Sequence, residues 1–223
     1  MEPSVVSSLR LFPLRTVLFP GMPLPIQIFE PRYHQLLAEC MEADEPFGVV
    51  LIRSGSEVGD AEAVPHDIGT TARIRSASPV GGGRVMVQTI GEQRFRILSL
   101  NRDRAFLTAE VEYPVDEITE VPEALLEQVT KAFEQVQRFR QLVDGVYRRT
   151  VRVPEAPGAL ADAIGTTAAD VLPPRLLQPL LDTLDVRRRL ERADAVLEPL
   201  MRGAHQQAQR AVSERFGGVD RRN

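Results

Sequence analysis

Leu11-Phe12-Pro13-Leu14-Arg15-Thr16-Val17-Leu18-Phe19-Pro20-Gly21-Met22-Pro23-Leu24-Pro25-Ile26-Gln27-Ile28-Phe29-Glu30-Pro31-Arg32-Tyr33 is the stretch on which the reading of this chain turns. Two short apolar runs, Arg15 to Phe19 and Ile26 to Phe29, are each closed by proline. Pro20-Gly21 between them suits the two central positions of a type II turn. Proline is tolerated at strand ends and edges but not in a central ladder, so the pattern predicts two strands meeting at a sharp corner. Pro31 then opens a helix reaching Met41, with Tyr33, Leu36, Leu37 and Cys40 at helical spacing. At the first helical turn proline forfeits no hydrogen bond and brings its φ already set.

Outward from this corner the chain reads as strands and then as helices. Phe47 to Arg53 is a continuous apolar, β-branched run, the pattern of a strand buried on both faces. Ser54 to His66 is acidic and glycine-containing, a surface loop. From Ile68 the pattern alternates, with Thr71, Arg73 and Arg75 on a wet face. Gly81-Gly82-Gly83 turns the chain, and Val85 to Ile90 returns as the second arm of a hairpin. Gly91 is expected to break that strand before another begins at Arg94, and Phe106 to Val111 forms the last. Many short strands with glycine-rich turns predict a closed or nearly closed barrel.

Beyond Pro122 the period changes. Leu125, Leu126, Val129, Phe133, Val136, Phe139 and Val143 step by three and four on one stripe. Shorter helical segments follow at Ala159 to Ile164 and after Pro173-Pro174, then a long one from Val186 past Leu200. Helices with one apolar side must bury it together, which predicts a small bundle. Gly217 to Asn223 is expected to fray.

The bulk properties bound the function. With 223 residues, 43% hydrophobic and 26% charged, the chain can bury a sizeable core and has an ordinary soluble composition. No apolar run reaches the roughly 18 residues of a membrane span, and Met1-Glu2-Pro3 begins no secretory signal, so a cytoplasmic location without membrane partners is expected. The single cysteine, Cys40, reads as a buried apolar side chain on the first helix. His34, His66 and His205 share no ligand spacing with it, and neither a metal nor a cofactor is expected. Net charge is −4, which invites neither nucleic acid nor an anionic membrane. Locally, acids dominate from Glu39 to Asp67 and arginines from Arg73 to Arg104. The plainer reading sets these stretches against each other or water; the sharper one makes Arg73, Arg75, Arg94 and Arg96 a basic face for an acidic partner. Arg187-Arg188-Arg189 with Arg192 reads as a solvated basic face of the long helix.

The motifs Phe12-Pro13-Leu14, Leu18-Phe19-Pro20-Gly21, Leu24-Pro25, Ile28-Phe29-Glu30-Pro31-Arg32-Tyr33 and Leu36-Leu37 together resemble the amino-terminal domain of Lon proteases, which many bacteria also encode as a separate short protein. Phe47 to Ile52, Val58-Gly59, Ile68 to Ile74, Gly91 with Arg94 to Ile97, and Ala109-Glu110-Val111 extend the likeness through the barrel. Leu172-Pro173, Leu176-Leu177 and Leu180 to Asp185 carry it more loosely into the helices. The resemblance implies an α+β chain: a PUA-like pseudo-barrel of mixed strands with one early helix over 1–118, followed by a helical bundle over 119–223. In full-length Lon this domain helps engage unfolded or degradation-tagged proteins, ahead of an ATPase module and a Ser-Lys protease module.

Neither catalytic module has its motif in this sequence. Lys131 is the single lysine; the glycine-rich run Gly81-Gly82-Gly83-Arg84 has arginine where a phosphate-binding loop needs lysine, and Lys131 sits mid-helix among glutamates. The expectation is therefore a non-catalytic binding protein that recognises unfolded or hydrophobic protein segments, as an adaptor or regulator of proteolysis that also meets protease components. Met22, Leu24 and Phe29 are the candidate peptide-binding residues, at the rim of a groove between barrel and bundle. RNA binding is the alternative. Against it stand the acidic total and the scarcity of aromatic platforms near the arginines. Glu30 and Arg32, enclosed by apolar residues, are expected to pair and tie the first helix to the barrel.

Overall fold

In the computed structural model, residues 5–56, 63–145 and 150–216 are described. The elements run β1 (Val5–Leu14), β2 (Pro23–Ile28), α1 (Pro31–Ala43), β3 (Phe47–Ser54), β4 (Val64–Pro65), β5 (Ile68–Gly81), β6 (Arg84–Asn101), β7 (Thr108–Glu112), α2 (Glu123–Asp144), α3 (Pro157–Ala168), α4 (Pro174–Asp182) and α5 (Val186–Phe216). The expected frayed tail 217–223, the acidic loop residues 57–62 and the Val58-Gly59 motif lie outside the described residues.

The sheet closes on itself. Strands follow the order β1-β7-β6-β5-β3, and a parallel β1–β3 pair, registering Leu11 with Gly48 and Leu14 with Leu51, returns to the start. Every other ladder is antiparallel. Closure removes the unpaired edges that an open sheet would present. β2 stands off this ring, paired with β6 from Pro23–Ile90 to Ile28–Val85. The barrel interior holds Leu9, Leu11, Val50, Phe95, Leu107, Ala109 and Val111 as one apolar cluster.

A larger cluster spans both halves. Phe12, Phe19 and Phe47 belong to the same buried core as Phe133, Ile164, Leu180 and Leu190, so the helices cover barrel side chains that would otherwise meet water. α2 and α5 advance side by side in the same direction, with Gln128 bonded to Asp194 and Phe139 against His205. No described helix is long and apolar enough to cross a membrane.

The corner differs in one respect from its sequence reading. Arg15 to Phe19 is not a strand: β1 ends at Leu14, and the run crosses as an irregular connector with Val17, Leu18 and Phe19 all buried. The Thr70 hydroxyl donates to the Leu18 carbonyl at 2.6 Å, so a side chain takes the place of a ladder bond. The turn is as expected: Met22 N–H donates to Phe19 carbonyl at 3.0 Å, and Gly21 takes φ +79° at the position where type II requires it. Gly91, expected to break a strand, lies inside an unbroken β6. A Cβ there would run into the Phe19 carbonyl, so glycine serves the close passage of the connector over the strand.

Candidate functional site

The groove beside β2 is built by the proline-rich corner. Gly91 N–H donates to the Met22 carbonyl at 2.9 Å, which directs the backbone of Met22 towards β6. By the period of two, Leu24, Ile26 and Ile28 also face β6, leaving Pro23, Pro25 and Gln27 to face outward. The outer edge of β2 has no strand partner among the described residues. Two of its three outward positions are prolines without an N–H, so strand addition there meets a blunted edge and recognition falls to side chains.

Those side chains form an apolar groove of about 380 Å³, lined by Phe12, Leu14, Leu24, Ile26, Phe29 and Tyr33 among others. Phe12 and Tyr33 stack with ring centroids 4.0 Å apart, joining β1 to the first turn of α1. The Arg32 guanidinium lies 4.6 Å from the Tyr33 ring centroid, and its Nε donates to Glu30 at 3.0 Å. Phe29 is 52% exposed at the rim, an aromatic side chain held out from the core by the strand-to-helix junction.

Of the three candidate peptide contacts, Leu24 and Phe29 line this groove and Met22 does not. Met22 is 7% exposed, turned into the core by the Pro20-Gly21 corner. The groove also lies elsewhere than expected, within the barrel half against α1 rather than between barrel and bundle. Glu30 and Arg32 do pair. α1 is docked by Tyr33 on Phe12 and by Glu39, whose carboxylate accepts from Arg10 at 3.0 Å and also binds Arg104. Hydrogen bonds from Arg10 and Arg104 hold the Glu39 carboxyl down at about 2. Burial pushes the Cys40 thiol, one residue on, up to about 11.

The candidate basic face does not assemble. Arg94 is 7% exposed and clasps Asp162 of α3 at 2.5 and 3.1 Å, with its Nε on the Leu181 carbonyl at 3.0 Å. Arg73 bonds Glu92 at 3.0 Å and the Asp44 carbonyl at 2.8 Å; Arg96 bonds Glu112 at 2.6 Å. Arg75 is exposed. Three of the four charges are thus compensated within the molecule, by Glu92, Glu112 and Asp162.

Arg189, read from sequence as part of a solvated face, is fully buried. It pairs with Asp116 in the segment linking barrel to helices, and its Nε lies 4.0 Å from Asp162. The signal was present: Arg189 falls three residues after Val186 and four before Ala193, on the buried stripe of α5. Asp162 similarly stands between Ala161 and Ala163 as the single charged residue of α3. Among the described residues no three His, Cys, Asp or Glu side chains group as a metal would need. Lys131 pairs with Glu127 at 2.9 Å on the exposed face of α2.

A closed barrel with a proline-blunted side strand, welded to a helical bundle and carrying an apolar groove with an exposed aromatic rim, defines a small barrel-and-bundle class of protein. Residues 8–198 match the family profile described as the ATP-dependent protease La (LON) substrate-binding domain, and the chain belongs to that family. It is 31% identical over 200 residues to Lon protease 2 of Myxococcus xanthus, covering 87% of this chain and 23% of that protein. It is 28% identical over 196 residues to Lon protease of Syntrophus aciditrophicus, covering 84% of this chain and 24% of that protein. The chain thus spans about a quarter of the length of the curated relatives it matches. Among solved structures, a Lon N-terminal domain protein from Xanthomonas campestris is 27% identical with a TM-score of 0.62, over 85% of this chain and 98% of that one. The N-terminal domain of Mycobacterium avium complex Lon protease, 24% identical, shares the fold with a TM-score of 0.64, over 86% and 98% respectively.

Proposed function

We propose that this chain is a non-catalytic binding protein that holds unfolded or hydrophobic polypeptide segments in the groove beside β2, acting in the cytoplasm as an adaptor or regulator of proteolysis. The observation that carries the reading is the exposed Phe29 ring at the rim of an apolar groove of about 380 Å³. Membership of a substrate-binding family supports it. The physical basis is burial: an apolar side chain entering between Leu24, Phe29 and the Phe12–Tyr33 stack removes both surfaces from water, at about 25 cal/mol for each Å². Aromatic anchors at the centre of such contacts carry most of the binding energy.

The test is a fluorescence titration with a permanently unfolded model protein. Binding in the micromolar range is expected, weakened about tenfold by Phe29→Ala, the scale of one contact that matters. Phe29 is half exposed, so the substitution leaves the melting temperature within about 2 °C of the parent. Absence of binding at about 100 μM, or equal binding by the Phe29→Ala protein, sinks the reading.

A further inference from the structure

A second cleft, of about 500 Å³, lies where α4 crosses the barrel. Its α4 wall is one face of the helix: Pro174 and Arg175 at the amino end, Gln178 and Pro179 in the middle, Asp182 at the carboxyl end. The barrel wall supplies Arg15, Leu51, Ile52, Arg53 and His66.

Three arginines without a carboxylate partner among the described residues line this one cleft. Most described arginines elsewhere are matched by carboxylates, yet Arg15, Arg53 and Arg175 make no ion pair among the described residues and all three are exposed. Arg15 is steadied by a 2.9 Å bond to the Gly55 carbonyl. No side chain caps the first turn of α4, so the positive end of its dipole adds to Arg175. Gln178 is 2% exposed; its Nε2 donates to the Ile68 carbonyl at 2.9 Å and to Asp182 at 2.7 Å, which fixes Oε1 as an acceptor. That Oε1 is closed off from solvent and has no partner, so Gln178 serves to pin α4 to the barrel rather than to meet a ligand.

We infer that this cleft binds an acidic peptide segment in extended form, its carboxylate at the Arg175 end and its backbone N–H groups towards the Asp182 carboxylate. The polarity of α4 sets the direction. From Arg175 to Asp182 the helix advances about 10 Å, the length of about three extended residues. Leu51, Ile52, Pro174 and Pro179 give aliphatic contact between the polar ends. A run of phosphates suits the cleft poorly, because Asp182 closes one end and His66 is the single ring of the lining on which a base could stack, where single-strand binding uses several. The inference rests on the polypeptide-binding reading and deepens it, adding a charge requirement at a separate place from the β2 groove.

Fluorescence anisotropy on the full chain tests it with four short labelled probes: a leucine-aspartate peptide, its asparagine counterpart, the acidic peptide with an amidated carboxyl terminus, and a single-stranded RNA. The expected result is that the acidic peptide binds about tenfold more tightly than its asparagine counterpart, the weight of one hydrogen bond to a charged group. Arg53→Ala and Arg175→Ala each weaken it several-fold, leave the asparagine peptide unchanged, and fold normally because both residues are exposed. Loss on amidation assigns the bound carboxylate to the peptide's end; persistence assigns it to a side chain. Equal binding of acidic and asparagine peptides, indifference to both substitutions, or tighter binding of the RNA overturns the inference. The two proposals fail separately. An apolar neutral peptide that binds through Phe29 while the acidic gain is missing retains the groove and removes the cleft; the converse retains the cleft alone.

Discussion

The Arg94 guanidinium on β6 and the Asp162 carboxylate on α3, separated by 68 positions in sequence, meet as a bidentate pair at 2.5 and 3.1 Å in the seam between barrel and helices. Both side chains are at least nine-tenths buried, at 6% and 10% exposure, and Arg94 Nε is satisfied by the Leu181 carbonyl. Removing one partner strands the other charge away from water, which costs about 3–5 kcal/mol, whereas replacing both by apolar residues is often neutral. Arg94→Met or Asp162→Leu alone should therefore lower the denaturant midpoint sharply, and the double variant should recover much of the loss. A double-mutant cycle by urea unfolding checks it; additive losses would show that the pair is not coupled.

The regular elements were legible because their periodicity and turn residues agree. The apolar run at Phe47, the glycines at Gly81 to Gly83 and the stripe from Leu125 to Phe139 each carry a local signal that tertiary contacts do not reverse. What was not legible depends on partners remote in sequence. Arg94 looks like a solvent-facing strand residue until Asp162 is placed over it, and the Arg15 to Phe19 run looks like a strand until Thr70 takes its hydrogen bond. The groove was half legible: Leu24 and Phe29 belong to it, but the inward turn of Met22 follows from the corner geometry rather than from hydrophobicity.

Two glycines separate backbone strain from crowding. Gly21 holds φ +79° with nothing within 4 Å of the place a Cβ would occupy, so Gly21→Val is penalised by conformation alone, by about 1–3 kcal/mol. Gly21→Asn, a residue that tolerates this region, should cost less. Gly165 in α3 has ordinary backbone geometry, but a methyl there would stand 2.5 Å from the fully buried Phe19 ring. Gly165→Ala should destabilise despite alanine's better helix propensity, and pairing it with Phe19→Leu should recover part of the loss. Thermal melts of the four variants check both statements; a Gly165→Ala protein more stable than the parent would contradict the close packing.

Glu39 makes α1 docking sensitive to acid. Its folded carboxyl is held at about 2 by hydrogen bonds from Arg10 and Arg104, below the ordinary 4.5 expected of the unfolded chain. The unfolded state therefore binds more protons in the interval between them, so the stabilisation is complete above about 4.5 and fades as pH falls towards 2. Glu39→Gln should be less stable than the parent at neutral pH, and the gap should narrow over that window. Melting curves of both proteins from pH 7 to pH 2 measure it, and a gap that stays constant would refute the assignment.

Cys40 supplies a probe of global opening. The thiol is 1% exposed on the buried face of α1, and desolvation pushes it up to about 11. Both effects suppress the thiolate, which is the reactive form. A thiol reagent at pH 8 should label the native protein only as fast as it unfolds, and Arg94→Met, which loosens the seam, should speed labelling in proportion to its loss of stability. The continuity of the core sharpens this expectation. Because Phe12, Phe19, Phe47 and Cys40 share one cluster with Phe133, Ile164 and Leu190, weakening the barrel–helix seam should expose the cysteine. Labelling that is fast in the parent, or unchanged in the variant, would mean that α1 opens independently of the remaining core.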